Sequence, residues 1–196
     1  MIEFKIVAES IDFSGVDTLM FTSKQAVKVA DSITKKWREF DSIAIGPATK
    51  KEILELGGRV IFQPKNFYGK ELAGDILKHF KDRKILYLRP KKITFDSRGF
   101  LKRYGIELKE QIIYQTECKS YPKDAKPESG SIIVFTSPST IECFLRNFGW
   151  DSSLKAVVIG KSTLEHLPPN IDYKIAPTPS INECIDVAIN WAKELK

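Results

Sequence analysis

Five hydroxyl side chains of this sequence stand where an apolar run gives way to a helix-like stretch, and such positions can bind anions. Ser23 closes the run Phe21-Thr22-Ser23, and Ser137 closes Phe135-Thr136-Ser137. The other three follow a glycine in the same way and are Thr49, Ser162 and Thr163. The unpaired N–H groups and the dipole of a helix N-terminus favour negative charge, and a hydroxyl adds a further hydrogen-bonding group. The same residue types are also ordinary helix caps, so a structural interpretation stays open for each of them singly.

These turns are repeated within the chain. Residues 21–27 read FTSKQAV and are echoed by 135–141, FTSPSTI, while 45–49, IGPAT, are echoed by 159–163, IGKST. Both matches have the same offset, since 135 − 21 and 159 − 45 are each 114. Two matches in one register indicate a duplicated unit, and the period is too long for a solenoid repeat. The sequence therefore predicts two similar lobes with a cleft between them.

Tyr114 is the side chain best suited to acid–base chemistry. It lies in Ile112-Ile113-Tyr114-Gln115-Thr116, at the end of a long strand-like stretch from which its phenol can point into the predicted cleft. A phenol has a pKa of about 10, so it can donate a hydrogen bond or a proton while staying neutral at rest. A tyrosine packed at a strand edge is the structural alternative. The sequence has no catalytic-triad spacing and neither of the glycine-rich phosphate-binding motifs, GxGxxG and GxxxxGK[ST].

The elements that must position these residues alternate along the chain. Strand-like and helix-like runs follow one another from residue 18 onward, which is the pattern of a parallel sheet with crossover helices. In such a sheet the turns at the carboxyl ends of the strands bind ligands. Predicted strands cover 18–21, 42–45, 60–62, 84–88, 131–135, 155–159 and 173–175, and two longer ones, 3–7 and 106–116, are expected to pair as a ribbon. The predicted domains are a first α/β lobe at 13–112 and a smaller second lobe at 122–196, with linking strands at 1–12 and 113–121.

Composition excludes some classes of protein. The 196 residues are 42% hydrophobic and 29% charged, as in a globular protein, and no apolar run reaches the roughly 18 to 20 residues of a membrane span. The N-terminus alternates polar and apolar residues instead of building a signal-peptide core, so a cytoplasmic protein without membrane attachment is predicted. The net charge of +6 favours an acidic partner, but the basic residues are dispersed and form no arm for nucleic acid.

The cysteines are predicted to be reduced packing residues. Cys118, Cys143 and Cys184 are odd in number and widely spaced, and they form no cluster with metal-ligand spacing. The sequence therefore predicts neither a disulfide nor a metal site.

Taken together, the motifs resemble the uroporphyrinogen-III synthase family. FTSKQAV, IGPAT, Tyr87-Leu88-Arg89, IIYQT, FTSPS and IGKST occur in this order, and the resemblance runs from about residue 18 to 188. It implies two flavodoxin-like parallel-sheet lobes joined by a two-stranded β-ribbon. It also implies a cyclising lyase without a cofactor, which converts the linear tetrapyrrole hydroxymethylbilane to uroporphyrinogen III in haem biosynthesis. That reaction loses water and inverts the last pyrrole ring.

The resemblance also implies roles for the residues described above. Tyr114 is the candidate to assist loss of the substrate hydroxyl, and Arg89 is added as a carboxylate ligand from its charge and its place at a strand end. The residues expected to bind the carboxylate arms of the substrate are Ser23, Thr49, Ser137, Ser162 and Thr163. A non-catalytic module that binds a tetrapyrrole or another anionic small molecule is the main alternative, and a nucleic-acid binder is a weaker one supported by charge alone.

One feature departs from the family. Its members usually start with a further strand and helix that belong to the second lobe, and this sequence begins after them. The second lobe is therefore predicted to expose an unpaired strand edge. The resemblance implies a monomer, whereas the edge favours a dimer or completion by a segment upstream of Met1.

Overall fold

The computed structural model describes residues 1–195. These form two compact units. The first unit is Phe4–Thr116, and the second unit consists of Met1–Glu3 with the chain from Glu117 onward. None of the helices in the described chain is long and apolar enough to cross a membrane.

The elements follow the predicted alternation. The strands are β1 (Ile2–Ile6), β2 (Thr18–Phe21), β3 (Asp41–Ala44), β4 (Arg59–Phe62), β5 (Ile85–Pro90), β6 (Leu108–Cys118), β7 (Ile132–Phe135), β8 (Lys155–Val158) and β9 (Tyr173–Ile175). The helices are α1 (Lys24–Ile33), α2 (Pro47–Glu55), α3 (Gly69–His79), α4 (Ser97–Lys102), α5 (Pro138–Phe148), α6 (Lys161–Leu164) and α7 (Ile181–Glu194). Short 3₁₀ turns cover Lys36–Glu39 and Lys123–Ala125.

The first unit is built on a sheet with the strand order β1-β6-β5-β2-β3-β4. β2 pairs in parallel with β3 on one side and with β5 on the other. The chain therefore winds outward from β2 in both directions, and the order reverses between β2 and β5. Open α/β sheets bind ligands outside the carboxyl ends of the strands at such a reversal.

Both faces of this sheet are covered, which explains the apolar strands. Leu19 and Phe21 pack in one core with residues of α1 and α2, and the intervening Met20 packs in a second core with residues of α3 and α4. β5 alternates in the same way, since Leu88 lies in the first core and Tyr87 in the second. The predicted parallel sheet with crossover helices is confirmed.

β1 and β6 form the predicted ribbon. The Val7 N–H donates to the Ile113 carbonyl at 3.0 Å, and the Lys119 N–H donates to the Met1 carbonyl at 3.0 Å. Because 1 lies opposite 119 and 7 lies opposite 113, the two strands run antiparallel.

The second unit repeats the first part of the first unit. Its three parallel strands have the order β7-β8-β9. β7 begins 114 positions after β2 (132 − 18), and β8 begins 114 positions after β3 (155 − 41). The same offset relates the starts of α1 and α5, of α2 and α6, and of β4 and β9. The duplication read from two short motifs thus extends over five elements in each unit.

The prediction of three reduced cysteines is wrong for two of them. Cys118, the last residue of β6, is disulfide-bonded to Cys143 of α5, with the two Cα atoms 5.1 Å apart. Cys184 is free and buried, as predicted. The two bonded residues are 25 positions apart in the sequence, and only the packing of the segment after β6 against α5 brings them together. Cysteine spacing alone carries no sign of that contact.

Candidate functional site

Tyr114 and Ser23 meet at the carboxyl edge of the first unit's sheet. The Ser23 hydroxyl lies 2.8 Å from the Tyr114 hydroxyl. Ser23 is the N-cap of α1, and its Oγ accepts a hydrogen bond from the Ala26 N–H at 3.0 Å. The residue expected to act on the leaving group and one of the expected anion-binding turns are therefore in direct contact.

A β-bulge in β6 orients Tyr114 towards the turn that contains Ser23. β5 and β6 pair Arg89 with Ile112 but Pro90 with Tyr114, so the register shifts by one residue at Ile113. As a result Ile113 and Tyr114, although consecutive, both pack in the core on the α1 side of the sheet. Bulges commonly redirect a side chain next to a functional site. Without it the phenol would leave the sheet on the opposite face.

Tyr114 is a neutral phenol in its resting state. The residue is only 4% exposed, and the ring of Phe4 packs edge-on against it with the centroids 5.9 Å apart. Burial raises the pKa of Tyr114 above its ordinary value, and the hydrogen bond with Ser23 offsets only part of that rise. The side chain is therefore equipped to donate a hydrogen bond or a proton, not to act as a phenolate nucleophile.

A second hydroxyl pair lies on the other face of the same strand end. The Thr22 hydroxyl is 2.7 Å from the Tyr87 hydroxyl. Burial raises the pKa of Tyr87, and the hydrogen bond with Thr22 and the charge of Arg89 offset part of the rise. Tyr87 and Thr22 were not predicted as site residues. The sequence places both at strand ends, but the contact across 65 positions depends on the pairing of β2 with β5.

Thr49 lies in the first turn of α2, the helix that follows β3. Gly46 is the N-cap of α2, Pro47 is its first residue, and Thr49 is 4% exposed in its first turn. Its equivalent in the second unit is Thr163, which is 1% exposed in the first turn of α6 after the N-cap Gly160. The two threonines thus have the same place in the repeat and the same degree of burial.

The other second-unit residues also lie at helix N-termini. Ser137 is the N-cap of α5, its N–H donates to Thr140 Oγ1 at 3.3 Å, and its hydroxyl lies 3.1 Å from that of Ser139. Ser162 is exposed on α6. α6 has only four residues, so fewer aligned peptide dipoles lie behind Ser162 than behind Ser137.

Arg89 is already paired in the structure. Its Nε lies 3.1 Å from Glu110 Oε2, in a geometry that makes no hydrogen bond, and its Nη1 donates to the Pro90 carbonyl at 3.0 Å. The two charged side chains are 15% and 9% exposed. The sequence did not predict Glu110 as the partner of Arg89. The contact follows from the register of β5 and β6, which places Tyr87 opposite Glu110. Arg89 would have to give up part of this pairing to bind a substrate carboxylate.

This combination defines a class of protein: an internally duplicated α/β protein whose strand ends carry neutral hydroxyl donors suited to an anionic ligand. A family model described as Uroporphyrinogen-III synthase HemD matches residues 1–186. The chain belongs to the uroporphyrinogen-III synthase family. It is a cyclising lyase of tetrapyrrole biosynthesis, and the function predicted from the motifs is confirmed.

Solved structures share the fold of this chain. The crystal structure of uroporphyrinogen-III synthetase from Helicobacter pylori 26695 is 25% identical, with a TM-score of 0.82 over 97% of this chain and 90% of that chain. A mutant uroporphyrinogen III synthase from the extremely thermophilic bacterium Thermus thermophilus shares the fold at 12% identity, with a TM-score of 0.60 over 100% of this chain and 88% of that one. The wild-type enzyme from the same bacterium gives 14% identity and a TM-score of 0.55, over 99% and 87%. No curated protein matches the chain. None of these findings supports a non-catalytic module.

Proposed function

We propose that Tyr114 assists the departure of the substrate hydroxyl in the conversion of hydroxymethylbilane to uroporphyrinogen III. The observation that carries this proposal is the contact between Tyr114 and Ser23, at 2.8 Å, in a setting that keeps the phenol neutral. The Tyr114 phenol donates a proton to the hydroxyl oxygen as the C–O bond of the hydroxymethyl group breaks, so the oxygen leaves as water. The last pyrrole ring attacks the electron-poor carbon that remains, and the proton that the substrate loses as its pyrroles regain aromaticity returns to the phenol. A donor at the departing oxygen lowers the barrier because negative charge develops there.

Ser23 is able to donate a hydrogen bond to Tyr114. The Ser23 oxygen already accepts the Ala26 N–H, so its own hydrogen is available to Tyr114. If Ser23 donates to the Tyr114 oxygen, the hydrogen of the phenol is free to point at the substrate. Ser23 is then a positioning residue that also makes Tyr114 a better donor, since hydrogen bonds in a chain polarise one another.

We propose that the helix N-terminal turns bind the carboxylate arms of the substrate. A bound carboxylate needs several hydrogen-bond donors. Backbone N–H groups and hydroxyls at the N-termini of α1, α2 and α5 can supply them. Ser23, Thr49 and Ser137 belong to these turns, and Ser162 and Thr163 contribute hydroxyls at α6. Because backbone donors remain when one hydroxyl is removed, an arm bound at one of these turns depends only weakly on any single side chain. Arg89 is also proposed to bind a substrate carboxylate, which would replace Glu110 as its ion-pair partner.

We infer that this small anionic molecule, and not a nucleic acid, is the acidic partner of the basic chain. Many of the cations form ion pairs with nearby carboxylates, among them Arg38 with Asp31, Arg59 with Asp41 and Lys155 with Asp172. Such pairs reduce the charge available to a phosphate backbone. Consistent with its place in tetrapyrrole biosynthesis, we infer a cytoplasmic location.

The family resemblance implies a monomer, and we propose the alternative to it, in which a second copy of the chain pairs along the free edge of β7. β7 is the outermost strand of its sheet, has the uncharged sequence Ile-Ile-Val-Phe, and has no strand on its outer side in the described chain. Beside it, α7 exposes Ile181, Ile185 and Ile189 at helical spacing, each between 45% and 58% exposed. A two-fold axis would set Asp186 of one α7 against Lys193 near the end of the other. This charge pattern favours a self-complementary partner.

Sedimentation tests the dimer. We expect the wild-type chain to sediment as a dimer and Ile185→Lys to sediment as a folded monomer, because a charge in the interface is left without a partner. Leu54→Lys is the matched control, since Leu54 is 51% exposed on α2 and lies outside the proposed contact. A wild-type chain that stays monomeric over the accessible concentration range would refute the proposal.

The product isomer tests the catalytic proposal as a whole. Hydroxymethylbilane closes spontaneously to the type I isomer without inversion, so the enzyme must position the chain to direct attack to the other carbon. We expect freshly prepared hydroxymethylbilane to give the type III isomer in the presence of this protein, faster than the spontaneous reaction gives type I. Type I product alone, at the spontaneous rate, would rule out catalysis.

A further inference from the structure

A small cavity opens in the first unit at the point where the strand order reverses. Its volume is about 200 Å³. The polar lining includes Thr22, Tyr87 and Ser97, with Lys92 also on the wall, and the apolar lining includes Ile45 and Phe95. None of the described lining residues is acidic. The cavity therefore combines hydroxyl donors, a positive charge and apolar walls.

Ser97 is a polar residue of the cavity wall. It is 2% exposed and begins α4, and its hydroxyl makes no hydrogen bond within the described part of the chain. The hydroxyl oxygen is not one of the fully enclosed polar atoms without a partner, so it faces the open space of the cavity. A ligand in the cavity would therefore meet a hydroxyl that has no partner within the described chain.

The hydroxyl groups of the lining suit a carboxylate. Thr22 and Tyr87 carry two O–H groups and use one of them in their mutual 2.7 Å hydrogen bond, so one hydrogen of this pair remains. Ser97 supplies another, and the hydroxyls of Ser23 and Thr94 also line the cavity. These donors are enough for the two oxygens of one carboxylate group, which has to be hydrogen-bonded when it is taken out of water.

The cavity is large enough for one carboxylate arm of hydroxymethylbilane but too small for the whole molecule. Pockets that enclose drug-sized ligands measure about 300 to 1,000 Å³, whereas a water molecule occupies about 30 Å³ in the liquid. At about 200 Å³ the cavity has room for a side chain of a few heavy atoms but not for a pyrrole tetramer. Ile45 and Phe95 would cover the methylene groups of such an arm.

We propose that this cavity binds one acetate or propionate arm of hydroxymethylbilane, with Thr22, Tyr87 and Ser97 as its hydrogen-bonding groups. The proposal rests on the catalytic function proposed above and adds a binding site to it. Lys92 contributes a favourable charge to the wall of the cavity. The arm fixes one end of the flexible substrate beside the Ser23 turn, since Ser23 also lines the cavity.

Kinetics of two variants test the proposal. We expect Ser97→Ala and Tyr87→Phe each to raise the KM for hydroxymethylbilane roughly 10-fold, as for loss of a hydrogen bond to a charged group. The kcat should stay within about 2-fold and the product should stay type III, because neither hydroxyl touches the leaving group. The inhibition constant of the product, uroporphyrinogen III, should rise in parallel. This constant measures binding alone, whereas KM also depends on the rate constants of the reaction.

Matched controls keep the outcomes distinct. Ser10→Ala and Tyr104→Phe alter exposed side chains and should change neither constant. Ser97→Ala should unfold at the wild-type urea concentration, because the hydroxyl has no partner to lose. If wild-type protein makes type III product but both variants keep wild-type KM and inhibition constants, the cavity is not an arm site. If wild-type protein makes no type III product, the catalytic proposal itself fails.

Discussion

Replacing Tyr114 by phenylalanine is expected to lower kcat for uroporphyrinogen III formation roughly 100-fold, the lower end of the range for loss of a general acid. The phenol is the neutral donor nearest the Ser23 turn, and a phenyl ring keeps the packing against Phe4 while removing only the hydroxyl. KM should change little, because the hydroxyl is needed at the departing oxygen and not for binding. Steady-state assay of product formation measures both constants.

Two variants serve as comparisons for Tyr114→Phe. Tyr104→Phe makes the same chemical change at a residue that is 57% exposed and should retain full activity. Ser23→Ala removes the partner of the phenol but leaves the phenol itself, so we expect a loss of only a few-fold. Tyr114→Phe should also remain folded, since one neutral hydrogen bond contributes about 1 kcal/mol. A folded and fully active Tyr114→Phe protein would show that the hydroxyl is dispensable.

The largest effect on stability is expected for Asp31→Ala. Asp31 is 8% exposed on α1 and accepts hydrogen bonds from Trp37 Nε1 at 3.1 Å and from Arg38 Nη2 at 2.6 Å, and it also pairs with Lys35. Trp37 is fully buried against Phe21. The variant leaves the indole N–H without an acceptor and the guanidinium without its counter-ion. We expect the free energy of unfolding in urea to fall by about 3 kcal/mol.

The effect of Asp31 should depend on pH. Burial alone would raise the pKa of Asp31, but the hydrogen bonds from Lys35, Arg38 and Trp37 outweigh burial and hold the pKa below its ordinary value. The folded chain therefore binds fewer protons than the unfolded chain, and the carboxylate stabilises the fold above the unfolded pKa of about 4. This contribution is lost as the pH falls through the lower folded pKa.

Unfolding at neutral and acidic pH checks both expectations. The difference between wild type and Asp31→Ala should be full at pH 7 and shrink as the pH falls below about 4. Glu39→Ala removes an exposed carboxylate near the same 3₁₀ turn and should change stability by less than about 0.5 kcal/mol. An Asp31→Ala protein as stable as wild type at pH 7 would contradict this account of the hydrogen bonds.

The local elements were predictable from the sequence because each has its own periodicity. β2 and β9 begin and end at the predicted residues, and the bounds of β3, β4, β5, β7 and β8 differ from the predicted ones by one or two residues. The repeat was also predictable, since the FTS turn follows both β2 and β7 and the IG turn follows both β3 and β8. Helix α6 is the exception: it begins at the predicted turn, but its N-cap is Gly160, with Ser162 and Thr163 inside the helix, and it ends after four residues.

Long-range partners were not predictable in the same way. Glu110 meets Arg89, Tyr87 meets Thr22, and Cys118 meets Cys143 because of strand register and helix packing, which a local pattern does not encode. The β-bulge at Ile113 belongs to this group. It decides that Tyr114 faces Ser23, whereas a regular strand would have turned the same residue to the other face of the sheet.

A single-turnover reaction with enzyme in excess tests the role of Tyr114 most directly. All hydroxymethylbilane is then bound, so the observed rate constant reports ring closure and not substrate capture. Tyr114→Phe is expected to close the ring much more slowly than wild type while still giving the type III isomer, because the turns position the chain and the phenol assists the departing hydroxyl. A rate constant equal to that of wild type would contradict the account.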